Sequence, residues 1–154
     1  MMFSVVICTY NRADSLRAAL ASLAAQEAPR DGSWRVLVVD NNSTDHTAQV
    51  VDEARAGDDI PGLRSVRETE QGLVVARQRG FRETTAPWVA FVDDDCTLAP
   101  DWIDEALSFL ASGRPIAAFN GGVLLTPDMS PIEKHVLPLI IARHAVHELM
   151  ARGV

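Results

Sequence analysis

Short apolar runs rich in β-branched residues alternate along this chain with segments of helical period, and the runs end in polar or acidic residues. That alternation constrains the fold more than any other feature. Phe3–Thr9 reads as a buried strand, and residues 13–26 carry Leu16, Leu20 and Leu23 at i, i+4 and i+7, one face of a helix. The pattern repeats: strands over 34–39, 63–67 and 88–92, helices over 45–55, 73–83 and 100–110, then a strand over 116–125. Ser43 or Thr44 reads as an N-cap, and Pro100 suits the first helical position. Residues 131–152 read as a helix broken at Pro138. A β-α order sustained this long implies an α/β fold, with a mainly parallel sheet and helices on both faces. In such sheets ligands bind beyond the carboxyl ends of the strands.

At 154 residues the length suits one domain, and 47% hydrophobic with 23% charged residues suits a soluble globular protein. The formal charge is −7 and Lys134 is the sole lysine, so no basic patch supports nucleic-acid binding. An acidic chain that takes a phosphate-bearing ligand needs local compensation from a cation, helix N-termini or a few arginines. Cys8 and Cys96 lack both a disulfide framework and zinc-site spacing, and read as reduced thiols. No basic leader precedes the first strand, so the sequons at Asn41 and Asn42 carry no weight, and the expected location is cytoplasmic. The apolar stretch at 136–142 is too short to span a bilayer, which leaves the inner face of a membrane as a second place of work.

The strand ends carry the chemistry. The first ends in Thr9-Tyr10-Asn11-Arg12, the second in Asp40-Asn41-Asn42-Ser43, the fourth in Asp93-Asp94-Asp95. Side chains alternate in extended backbone, so Asp93 and Asp95 can share one side and offer Mg²⁺ or Mn²⁺ a hard-oxygen site; a solvated turn leading to a helix is the alternative. Asp40 can accept a hydrogen bond from a base or cap the next helix. Thr9 and Tyr10 can line a base pocket or simply end a strand. Arg77 can reach a base or phosphate, or face solvent. Gly121-Gly122 suits close backbone approach, and His144, His147 and Glu148 read as surface residues rather than a metal site.

In this order, SVVICTYNR at 4–12, VLVVDNNSTD at 36–45, the run at 70–80 with Glu70, Gly72, Ala76, Arg77 and Gly80, and WVAFVDDDCTLAPDW at 88–102 resemble the family-2 glycosyltransferases with the GT-A fold. Asn120-Gly121-Gly122 also matches that family's glycine pair. The resemblance covers about four-fifths of the chain and implies a GT-A (Rossmann-like) nucleotide-sugar-binding region over 1–126. It implies transfer of a sugar from a nucleoside-diphosphate sugar, with inversion and with Mn²⁺ or Mg²⁺, to an acceptor of unknown class. It places Thr9, Tyr10 and Asp40 on the base and ribose, Arg77 at the base or phosphates, Asp93 at the ribose or the metal, and Asp95 at the metal. Arg12, Asn42 and Asp94 join the substrate-binding set.

The resemblance also implies a second acidic motif holding the general base, and only Asp128, Glu133 and Glu148 follow the glycine pair. No catalytic base is therefore assigned. The tail at 127–154 is expected to be helical and not to supply the acceptor half, and its apolar positions can pack on the sheet or join a homo-oligomer. The alternative function is a truncated nucleotide-sugar-binding module that performs no transfer. A sugar nucleotidyltransferase or a dinucleotide-binding dehydrogenase would need a glycine-rich first loop, and a P-loop protein would need its lysine motif; Thr9–Asp14 has neither.

Overall fold

In the computed structural model, residues 3–112 are described together with the backbone of two short strands at 118–120 and 140–143. The elements are β1 (Phe3–Thr9), α1 (Ala13–Ala24), β2 (Trp34–Asp40), α2 (Thr47–Ala56), β3 (Arg64–Arg67), α3 (Leu73–Glu83), β4 (Trp88–Asp93), α4 (Trp102–Ala111), β5 (Ala118–Asn120) and β6 (Ile140–Arg143). They build one six-stranded sheet in the order β3-β2-β1-β4-β6-β5. The first four strands are parallel, and β6 runs antiparallel to both β4 and β5. This is the α/β architecture that the alternation implies.

Helices cover both faces, as expected. On one side Phe3, Val5 and Ile7 of β1 pack with Trp34, Val36 and Val38 of β2 against Leu16, Leu20 and Leu23 of α1, joined by Val50 and Ile103. On the other, Val6, Leu37, Val39, Val89 and Phe91 pack against Ala76 of α3. Odd and even positions of one strand thus serve different cores, which is why β1 and β4 are buried on both faces and carry apolar residues at successive positions.

Register aligns the strand ends. Thr9 lies opposite Asp40, Asp40 opposite Arg67, and Cys8 opposite Asp93. The chain winds from β1 outward to β2 and β3, then returns to place β4 on the other side of β1. The order therefore reverses between β1 and β4, and such a switch point leaves a crevice at the carboxyl edge.

The expected tail helix needs correcting. Residues 140–143 form β6, seated between β4 and β5, so this part of the tail belongs to the sheet. A short apolar run reads alike as a buried helix segment or a buried strand, and the edge of β4 decides the matter by offering unpaired backbone groups. The boundary at 126/127, the rest of the tail and Gly121-Gly122 lie outside the described residues. Two helix starts also differ. Helix α2 begins at Thr47, whose N–H and hydroxyl both donate to Asp45, so the cap is neither Ser43 nor Thr44. Helix α4 begins at Trp102, with Pro100 in the preceding turn. Among the described residues no helix is long and apolar enough to cross a membrane.

Candidate functional site

The crevice between β1 and β4 holds a cleft of about 440 Å³. Its floor comes from the end of β1. Thr9 is buried, and its hydroxyl donates to Asp94 Oδ2 at 2.7 Å. Tyr10 stands at the mouth, 46% exposed. Asn11 takes a positive φ of 51°, and its Oδ1 accepts from the Thr44 and Asp45 backbone N–H groups. Its own N–H donates to the Ser43 hydroxyl, so the loops after β1 and β2 are tied together.

The acidic run follows β4. Asp93 accepts from Arg77 Nη2 at 3.1 Å. Arg12 Nη1 donates to Asp94 Oδ1 and to Asp95 Oδ2, each at 3.1 Å. Two guanidinium groups therefore offset the mutual repulsion of three adjacent carboxylates. The carboxylates are not equivalent. Asp94 points inward to Thr9, and burial raises its pKa against the opposing pull of the Thr9 hydroxyl and the Arg12 charge. Asp93 and Asp95 remain substantially exposed at the cleft, with side chains 37% and 48% accessible. Arg77 also lies over the Phe91 ring, 5.9 Å from its centroid.

Of the residues singled out in the sequence, Thr9, Tyr10, Arg12, Arg77, Asp93, Asp94 and Asp95 line this cleft together. Asp40 and Asn42 do not line it. Asp40 Oδ1 accepts from the Ser43 N–H, the capping alternative, and Asn42 Oδ1 accepts from Arg67 Nη2. Six lining residues were not in the expected set: Cys8, Asn41, Gln71, Gly72, Leu73 and Ala76. Leu73 is 51% exposed despite its size. A glycine opening a helix after a polar run was the available signal for Gln71. Nothing local marks Asn41, which stands beside Asn42 in the same motif.

The cleft divides by chemistry. Tyr10, Asn41, Gln71 and Leu73 give a neutral part, whereas Arg12, Arg77 and the three aspartates give a charged part. Cys8 also lines the cleft, but burial pushes its thiol up to about 12; Cys96 is raised to about 11 for the same reason. Both thiols stay protonated near neutral pH, which removes them as nucleophiles.

A family model, Glycosyl transferase family 2, matches residues 4–125 with this cleft inside the match. The chain belongs to that family. Among similar proteins, the glycosyltransferase AglE of Haloferax volcanii is 31% identical over 124 residues, covering 80% of this chain and 40% of AglE. The mannosyltransferase PcManGT of Pyrobaculum calidifontis, solved with GDP-Man and Mn²⁺, superposes with a TM-score of 0.78 at 25% identity, covering 96% of this chain and 46% of that one. S. aureus TarS with UDP-GlcNAc gives 0.72 at 25% identity, covering 98% and 48%. These neighbours identify the architecture as the GT-A fold. The chain spans about half the length, or less, of the proteins it matches here.

Proposed function

We propose that the protein binds a nucleoside-diphosphate sugar together with Mn²⁺ or Mg²⁺ and transfers the sugar, with inversion, to an acceptor hydroxyl. The observation that carries this reading is the cleft at the β1/β4 switch point, where the neutral side chains of Tyr10, Asn41, Gln71 and Leu73 line one space with Asp93, Asp95, Arg12 and Arg77. The donor set fits a hard divalent cation, because only carboxylate oxygens are offered. Among the described residues no group of three or more His, Cys, Asp or Glu side chains is placed to hold a metal ion.

Asp93 and Asp95 would hold the cation, and when bound it would supply Lewis-acid neutralisation of the diphosphate charge. Asp94 keeps the acidic turn in place, one oxygen accepting from Thr9 and the other from Arg12. Tyr10 offers an aromatic wall to the base. In the transfer an acceptor oxygen forms a bond to the anomeric carbon as the bond to the diphosphate oxygen breaks. Arg77 and Arg12 then stand where negative charge accumulates. Among the described residues, the carboxylates lining the cleft are Asp93, Asp94 and Asp95, each bonded to an arginine. No general base is assigned among them, and the second reading is a nucleotide-sugar-binding module without transfer.

PcManGT and TarS were solved with different bases, so both must be tested. Calorimetric titration with UDP, GDP and dTDP, each with and without Mn²⁺, should give metal-dependent binding of one of them. Asp95→Ala should lose that dependence while melting at the same temperature, since the side chain is half exposed. Equal nucleotide affinity in Asp95→Ala, with and without Mn²⁺, would sink the assignment. Release of the sugar to an acceptor panel then separates enzyme from binding module.

A further inference from the structure

We infer that Asn41 is the positioning residue that holds one wall of the cleft in its binding shape; for nucleotide affinity this rests on the donor-site reading. Asn41 is 4% exposed, and its amide is fully engaged with backbone. Nδ2 donates to the carbonyls of Glu70 at 2.6 Å and Glu68 at 3.3 Å, and Oδ1 accepts from the Gly72 N–H at 2.8 Å. Its own backbone N–H donates to the Thr9 carbonyl at 2.9 Å. One side chain therefore fastens the loop that precedes α3 to the end of β2, and its backbone fastens β2 to the cleft floor.

The loop needs such a fastener. Gly72 has a φ of 147°, a left-handed conformation disfavoured for other residues, and α3 starts there without a side-chain cap. Gln71, Gly72 and Leu73 all line the cleft. Only an amide fits the role of Asn41, because the two loop carbonyls require a donor and the Gly72 N–H requires an acceptor. Asn41→Asp keeps size and shape and keeps the acceptor for Gly72. It sets a carboxylate oxygen against the Glu68 and Glu70 carbonyls, so acceptor faces acceptor. The wall then spends less time in its binding shape, and apparent affinity falls in proportion to that lost population.

Two measurements on the full chain test this: amide hydrogen exchange, and calorimetric titration with UDP, GDP and dTDP in Mn²⁺, both well below the melting temperature. In Asn41→Asp and Asn41→Ala, exchange should accelerate at residues 70–76 and stay unchanged in β1 and β4. The dissociation constant of the favoured nucleotide should rise, by up to about tenfold, the limit set by leaving one buried polar group unsatisfied. Unchanged exchange at 70–76 overturns the inference. So does faster exchange with an unchanged dissociation constant, which would make Asn41 structural only. If the wild type binds none of the three nucleotides, the donor-site reading falls by itself, and the exchange result still decides whether Asn41 fixes the wall.

Discussion

Asp45 serves two helices with one carboxylate. Its Oδ1 accepts from the Thr47 N–H and hydroxyl at the start of α2, and its Oδ2 accepts from the Ala13 N–H at the start of α1. Asp45→Ala should cost about 1 kcal/mol, the usual worth of a cap, as read from urea unfolding. The Thr47 hydroxyl, first of several donors, lowers the pKa of Asp45. A lowered pKa means stabilisation that is complete above the ordinary aspartate value of about 3.9 and is lost as pH falls through the folded value. The gap between wild type and Asp45→Ala should therefore be widest near neutrality and close on acidification; a constant gap would show that the charge plays no part. Asp94 has the opposite sign. Burial raises its pKa, so ionising it costs stability as pH rises above the ordinary value. Asp94→Ala strands the buried Thr9 hydroxyl but also removes that cost. The net loss should sit at the lower end of roughly 1–3 kcal/mol, checked in the same unfolding experiment.

At the scale of elements, the contact between α3 and β1 is the closest helix–sheet approach marked by a glycine. A Cβ on Gly80 would come within 2.6 Å of Val6 Cγ1, and Val6 is fully buried in the centre of the sheet. Helix propensity favours alanine over glycine by about 1 kcal/mol, yet overpacking of a stiff core residue costs roughly 1–3 kcal/mol. Gly80→Ala should therefore lower the melting temperature. Gly57, in right-handed helical backbone after α2, meets nothing closer than 3.5 Å, so Gly57→Ala should raise it by the equivalent of roughly 0.4–1 kcal/mol. Opposite shifts in differential scanning calorimetry support the packing assigned to α3, and a neutral Gly80→Ala would count against it. The neighbouring pattern of Leu73, Val74 and Ala76 illustrates what periodicity misses. Ala76 is buried whereas Leu73 and Val74 are 51% and 70% exposed, because the start of α3 projects past the sheet edge to border the cleft.

For the whole molecule, a net charge of −7 sets the terms on which it can hold a diphosphate. Three adjacent aspartates at the cleft are balanced by only two arginines. Removing divalent cations with EDTA should therefore weaken binding of the favoured nucleoside diphosphate much more than binding of the corresponding nucleoside. Titration of both ligands checks this, and equal losses would mean that the cation is not acting at the phosphates.

The sequence alone determined the succession of strands and helices over 3–112, the two helical layers, and the gathering of polar and acidic residues at the carboxyl edge. These follow from period and from polar residues at strand ends, which are properties of neighbouring positions in the chain. Thr9, Arg12 and Asp93–95 were legible as strand-end residues for the same reason, whereas Arg77, on a helix, was placed by the family resemblance. Tertiary structure decided what depends on which backbones lie side by side. It placed 140–143 in the sheet, because the edge of β4 needed a partner. It turned Asp94 inward and left Asp93 and Asp95 at the cleft, because Thr9 and Arg12 approach from another strand end. It also took Asp40 and Asn42 out of the cleft and put Asn41 at its wall, since the partners of that amide lie some thirty residues away along the chain.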